Sequence, residues 1–145
     1  MIHEILYENI LNSNDRIYDM TSMQEIIYQY NQKPKPLFGE LFHPKDDLNI
    51  SLAKVSHEID DVFLEDGILK AEIKILNTTW CGKELKQLLE NNMCVFSTRS
   101  IGSVDPITKK VTVEKFITVD AILFSDSTYK KYLLRRRKLK RILDV

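Results

Sequence analysis

Apolar residues recur at helical spacing in "TSMQEIIYQYNQK" (21–33), where Met23, Ile26, Ile27 and Tyr30 share one face. The spacing predicts an amphipathic helix with Thr21 or Ser22 as its N-cap. "KPKPLFG" (33–39) ends it, because two prolines cannot continue a helix and push their predecessors to extended geometry. A second helix is predicted over "TTWCGKELKQLLENN" (78–92), with Thr78 or Thr79 at its start and Leu85, Leu88 and Leu89 on one face. Elsewhere the period falls to two. "NISLAKVSHEIDDVFL" (49–64) and "ILKAEIKIL" (68–76) read as a hairpin turned at "EDG". "HEILYENIL" (3–11) suits a first strand, and "NSNDR" (12–16) is turn chemistry. "MCVFSTRS" (93–100) suits a short buried strand, and "KKVTVEKFITVDAILF" (109–124) one or two strands rich in β-branched residues. Strands outnumber helices, and the helices interrupt them irregularly. The expected class is α+β around a mainly antiparallel sheet or small β-barrel with a few surrounding helices.

A chain of 145 residues, 43% apolar and 29% charged, suits one soluble domain with a real core. No apolar run approaches the roughly 18 residues of a membrane span. The start, "MIHEILYENILN", carries acids and lacks the basic opening of a secretory signal, so the expected location is the cytosol. Cys81 and Cys94 have no CxxC partner or His cluster beside them, which argues against a zinc site or a disulfide framework. Charge adds something the apolar pattern hides. Residues 1–129 hold 13 basic and 20 acidic side chains, whereas "KKYLLRRRKLKRILDV" (130–145) holds 8 basic and 1 acidic. Residues 1–129 are therefore read as the domain and 130–145 as a basic C-terminal helix or tail. The tail fits a helix docked on the acidic body, or contact with nucleic acid or an acidic partner. A steep fall of affinity with salt would mark the nucleic-acid case.

Candidates for chemistry are few. Of three histidines, His3 lies at a terminus expected to fray, leaving His43 and His57. A lone histidine is more often structural than catalytic, and weight comes only from a constellation. Ser97 follows the apolar pair Val95 and Phe96 and precedes "TRSIGS", whose glycine and hydroxyl residues suit a loop with exposed N–H groups. Arg99 would place a fixed positive charge beside a developing oxyanion. The alternative is that Ser97, Thr98, Ser100 and Ser103 are loop hydrogen-bonders, and residue physics leaves both readings open.

Three stretches in order, "NSNDRIY" (12–18), "GELFHP" (39–44) and "VFSTRSIGS" (95–103), resemble the prohead core protein protease family of tailed bacteriophages. That family shows Asn-x-Asn-x-Arg-x-Tyr, Gly-Glu-Leu-x-His-Pro and Val-Ser-Ser-Arg-Gly-x-Gly-Ser. "KVSHEI" (54–59), "ILNTTWCGKELKQLL" (75–89) and "VDAI" (119–122) resemble further family segments, so the likeness spans residues 12 to about 126. The resemblance implies a serine endopeptidase that matures a phage capsid by cleaving scaffold, core and major capsid proteins inside the prohead, in the host cytoplasm. It implies a fold similar to the herpesvirus assembly protease, a β-barrel surrounded by helices. No cofactor or metal is implied; a homo-oligomer is open, and neither membrane nor nucleic acid is an expected partner.

Carried over by position, the resemblance puts the base on His43 and the nucleophile on Ser97. Arg99, with the backbone of Thr98 and Ser100, is the candidate oxyanion site. The residue that orients His43 is expected to be Asp120, with His57 as the alternative and Glu40 as a further option or a brace for the turn. The chain departs from the pattern at Ser100, where the family has Gly. If that position needs positive φ, a serine there is strained, and a noncatalytic shell component keeping the fold becomes the alternative. The family's preference for cutting after Glu, with Ile or Leu two residues before it, would make "IHE" (2–4), "LYE" (6–8) and "LLE" (88–90) self-cleavage sites.

Overall fold

The structure is a computed structural model, which describes residues 1–12, 14–42 and 48–123. His43 and the whole basic segment 130–145 lie outside the described residues. The order is β1 (Ile2–Tyr7), α1 (Met20–Gln32), β2 (Leu37–Glu40), a 3₁₀ turn (Leu52–Lys54), β3 (Val55–Glu65), β4 (Ile68–Ile75), α2 (Trp80–Glu90), β5 (Cys94–Val104) and β6 (Val111–Leu123). Neither described helix is long and apolar enough to cross a membrane.

The "EDG" turn forms as expected. Asp66 and Gly67 both take positive φ, 54° and 74°, the geometry a two-residue turn needs to match the twist of its strands. β3 and β4 pair across it from Glu65↔Ile68 to His57↔Ile75. Residues 52–54 form a 3₁₀ turn, so the hairpin's first strand starts only at Val55. β1 and β2 extend the hairpin on either side, giving the antiparallel order β1-β4-β3-β2.

β5 and β6 form a separate antiparallel ribbon. "TRSIGS" is strand, not loop: pairing continues to Val104↔Val111, with register shifts at Arg99/Ser100 and Ile101/Gly102. Each shift places an extra residue on β6 and bends it. "KKVTVEKFITVDAILF" accordingly gives one long bent strand rather than two. The ribbon meets the larger sheet where Leu41 bridges Ala121 and the Phe42 N–H donates to Ala121 O at 2.6 Å. The class is thus α+β and mainly antiparallel, but the ladders among the described strands make two joined sheets and stop short of a closed barrel.

α1 ties the sheets together at their irregular points. Phe116 N–H donates to Gln29 Oε1 (2.6 Å) and Gln29 Nε2 to Glu114 O (3.0 Å), which satisfies backbone groups that the bends in β6 remove from the ladder. On the other sheet, Tyr30 Oη donates to Ile59 O (3.0 Å), where β3 shifts register. Met23, Ile26 and Tyr30 are buried in a core shared with Phe96, Phe116, Val119 and Ala121.

The cap of α1 differs from expectation. Asp19, not Thr21 or Ser22, accepts the Ser22 N–H (2.9 Å), and Ser22 instead turns inward to Val111 O. An ionised carboxylate at a helix start gains from both the free N–H groups and the dipole. Replacing Asp19 by Ala should therefore cost about 1 kcal/mol in urea unfolding, and Thr21→Ala less than half of that. Equal costs would contradict this cap. α2 begins as expected, with Thr79 Oγ1 accepting from Gly82 N at 2.9 Å.

Candidate functional site

β5 and β6 place Ser97 directly opposite Asp120. Residues paired in this way project to the same face, and Arg99, two residues on, shares it. Ser97 is partly exposed, whereas Asp120 and Glu40 are fully buried and Arg99 is only 8% exposed. The Arg99 guanidinium grips Asp120 with two bonds, Nε to Oδ2 at 2.8 Å and Nη2 to Oδ1 at 3.0 Å. Nη2 also reaches Glu40 Oε2 at 2.6 Å, and Nη1 reaches Asn49 O at 3.1 Å. The Glu40 N–H closes the group by donating to Asp120 Oδ1 at 3.0 Å. Burial by itself would lower the Arg99 pKa, but the two carboxylates outweigh it and hold the guanidinium above its usual value. A planar fork that spans two carboxylates fixes three segments of chain at once. Those segments are "GELF", "FSTRS" and the strand carrying "VDAI".

The side chain of Arg99 is thus engaged by carboxylates. Thr98 and Ser100 are partly buried strand residues. Ser100 is not among the residues with positive φ, so a serine carries no left-handed strain at this position. Among the described residues its buried Oγ has no hydrogen-bond partner, and neither has Glu40 Oε1.

His43 is outside the described residues, but the chain leading to it is fixed. Leu41 bridges Ala121, the neighbour of Asp120, and Phe42 takes φ 70° while its N–H bonds Ala121 O. The glycine that opens "GELFHP" has a steric reason. A Cβ on Gly39 would fall 2.1 Å from both His57 Nε2 and Val119 O, so only glycine lets β2 lie against this part of β6.

His57 is fully buried on β3. Its Nε2 lies 2.7 Å from Val119 O, which can only accept, so Nε2 carries the proton and Nδ1 accepts from Ser56 Oγ at 2.7 Å. The ring stands edge-on to Phe96, 5.0 Å between centroids. Burial pushes its pKa down to about 4 against the raising effects of the Val119 bond and the Asp120 charge, so the ring is neutral at pH 7. The unfolded imidazole, near 6.5, takes up a proton first as pH falls. The stabilisation is therefore complete above pH 6.5 and is lost as pH falls through 4, a loss of about 3 kcal/mol. His57→Gln should reduce the decline in urea-unfolding free energy between pH 7 and pH 4 by about that amount. An unchanged decline would refute the assignment. His3, discounted above as frayed, is instead ordered in β1 opposite Ala71, its ring 4.5 Å from Phe96.

A cleft of about 950 Å³ opens between β1, β4, α2 and β5. Lys74, Lys86, Cys94, Val95 and Phe96 are among its lining residues, so it runs up β5 to the residue before Ser97.

The overall fold has a counterpart among solved structures: the bacteriophage T4 capsid assembly protease, gp21, superposes with a TM-score of 0.73. The chain shares the fold of a phage capsid assembly protease. The likeness covers 86% of this chain and 82% of the T4 protein at 18% sequence identity. No protein-family model matches the sequence, and no curated protein matches it. At that identity the backbone architecture is what is held in common.

The Glu40–Arg99–Asp120 cluster was only partly legible beforehand, with Glu40 as a brace, Arg99 as an oxyanion group and Asp120 as a triad member. The signal lay in the alternation. Asp120 sits between Val119 and Ala121 in a strand rich in apolar residues, and a carboxylate buried there requires a cation such as Arg99.

Proposed function

We propose that the chain is a serine endopeptidase of capsid maturation. In this reading Ser97 attacks the scissile carbonyl while His43 takes its proton and later protonates the leaving amine. The observation that carries it is the convergence of "GELF", Ser97 and Asp120 through Arg99, on a fold held in common with a capsid assembly protease. Phe42 anchors the chain one residue before His43, beside the strand that carries Asp120. The entropy cost of aligning the base is thereby reduced.

Asp120 is our choice of orienting residue over His57. It faces Ser97 across the ribbon, whereas both ring nitrogens of His57 bond to Ser56 and Val119. The oxyanion donors are assigned to the backbone around Thr98 and Ser100, with Arg99 holding the strand in register. The two joined sheets are read as the wall of a herpesvirus-protease-like barrel. Scaffold, core and capsid proteins are the proposed substrates, cut after Glu within the prohead, with the cleft along β5 receiving the polypeptide. Self-cleavage after Glu4 or Glu8 would need β1 to detach, since Glu4 pairs with Lys70 and the Glu8 N–H donates to Gly67 O. Reaction of the purified chain with a fluorophosphonate tests the nucleophile: adduct mass on the peptide carrying Ser97 is expected. Labelling elsewhere, or none, would defeat the reading.

A further inference from the structure

β5 pairs with β6 along one side, and among the described residues no strand pairs with its other side. Which main-chain groups face that open side follows from β6. Ala121 O accepts the Phe42 N–H, and Val119 O lies 2.7 Å from His57 Nε2, so both carbonyls point away from β5. Successive residues of an antiparallel strand alternate in direction, so Asp120 and Ile122 are the ones that turn their main chain toward β5. Their partners Ser97 and Val95 are thereby bonded within the ribbon. Phe96 and Thr98, opposite Ala121 and Val119, turn their N–H and C=O outward, on either side of Ser97.

Natural sheets blunt such edges with lysine, proline or bulges. None stands in "CVFST" (94–98), and pairing runs without a shift from Cys94↔Leu123 to Arg99↔Thr118. The edge opens on the cleft of about 950 Å³, whose lining includes Val95 and Phe96. The cleft walls mix cations with acids, Lys74 and Lys86 with Asp60 and Glu90. The feature there that any polypeptide can use is therefore the row of main-chain groups.

We infer that the cleft takes its polypeptide as an added β-strand, paired with the open edge of β5 through the N–H and C=O of Phe96 and ending at the N–H of Thr98. The inference rests on the reading of Ser97 as the nucleophile given above. A strand added here lies about 4.8 Å from β5, so its carbonyls pass beside Ser97. The carbonyl that meets the Thr98 N–H then sits where the proposed oxyanion donor acts. Main-chain bonds supply the affinity, and the pockets for alternate side chains supply the selection. Only an extended segment can pair in this way, so a helical or tightly folded stretch of the same partner is not a substrate.

The test is amide hydrogen exchange read residue by residue in Ser97→Ala, with and without purified phage scaffold protein. Ser97→Thr serves as a second inactive form, since a β-branched side chain suits a strand. Scaffold protein should slow exchange at Phe96 and Thr98 by about tenfold or more, the effect of one added hydrogen bond at each. Val95 and position 97, already bonded to β6, should not change. No slowing at Phe96, or equal slowing from Cys94 to Thr98, overturns the inference. The protease reading survives that result if a fluorophosphonate still labels Ser97 in the wild type. Alternating protection already present without scaffold protein, and lost on dilution, would put a second copy of the chain on this edge and overturns the inference as well. Absence of Ser97 labelling in the wild type sinks both.

Discussion

Ser97→Ala is expected to lower cleavage of co-expressed phage scaffold protein by at least about 10⁴-fold while leaving the fold intact. The magnitude follows from removing the proposed nucleophile, after which only oxyanion stabilisation and binding would act on the bond. The fold should persist because Ser97 is partly exposed and its strand is held by Phe96 within the core and by Arg99 in the carboxylate cluster. The thermal midpoint is therefore expected to move by no more than a few degrees. His43→Ala should cost a similar factor, and the double variant little more, since the proposed nucleophile and base would act as one unit. Cleavage surviving at near wild-type rate in Ser97→Ala would eliminate the proposed mechanism. Multiplicative losses in the double variant would instead mean that the two side chains act independently.

The largest effect on stability is expected at Arg99. Arg99→Met leaves Asp120 and Glu40 buried without the guanidinium that spans them. Stripping one partner from a buried ion pair costs about 3–5 kcal/mol, because the remaining charge stays desolvated. For a domain of this size that lowers the thermal midpoint by about 10 °C. Arg99→Lys keeps the charge but not the fork, so it should fall between wild type and Arg99→Met. A thermal midpoint for Arg99→Met within two degrees of wild type would show that the cluster does not hold β2, β5 and β6 together.

Much of the local structure was legible in sequence because local physics decides it. Thr79 caps α2, the Asp66–Gly67 turn closes a hairpin, and Met23, Ile26 and Tyr30 form the buried stripe of α1, each through forces acting within a few residues. Readings failed where a distant partner competed. Ser22 was taken from the helix start by Val111, 89 positions away, and Asp19 filled the vacancy. "TRSIGS" has the composition of a loop, yet pairing with β6 holds it extended, the bends falling on the partner strand.

By itself the sequence determined the class of fold, the two α-helices and central hairpin among the described residues, and the identity of the stretches that converge on the candidate site. Those depend on periodicity, turn chemistry and residue type, all carried by neighbouring positions. Only the tertiary structure decided that Ser97 faces Asp120, that Arg99 binds two carboxylates, and that His57 is a neutral buried bridge between Ser56 and Val119. Strand register and the pairing of buried charges are settled by contacts between residues tens of positions apart, and the glycine of "GELFHP" shows this most directly. Nothing local requires glycine at position 39; a histidine 18 residues later does.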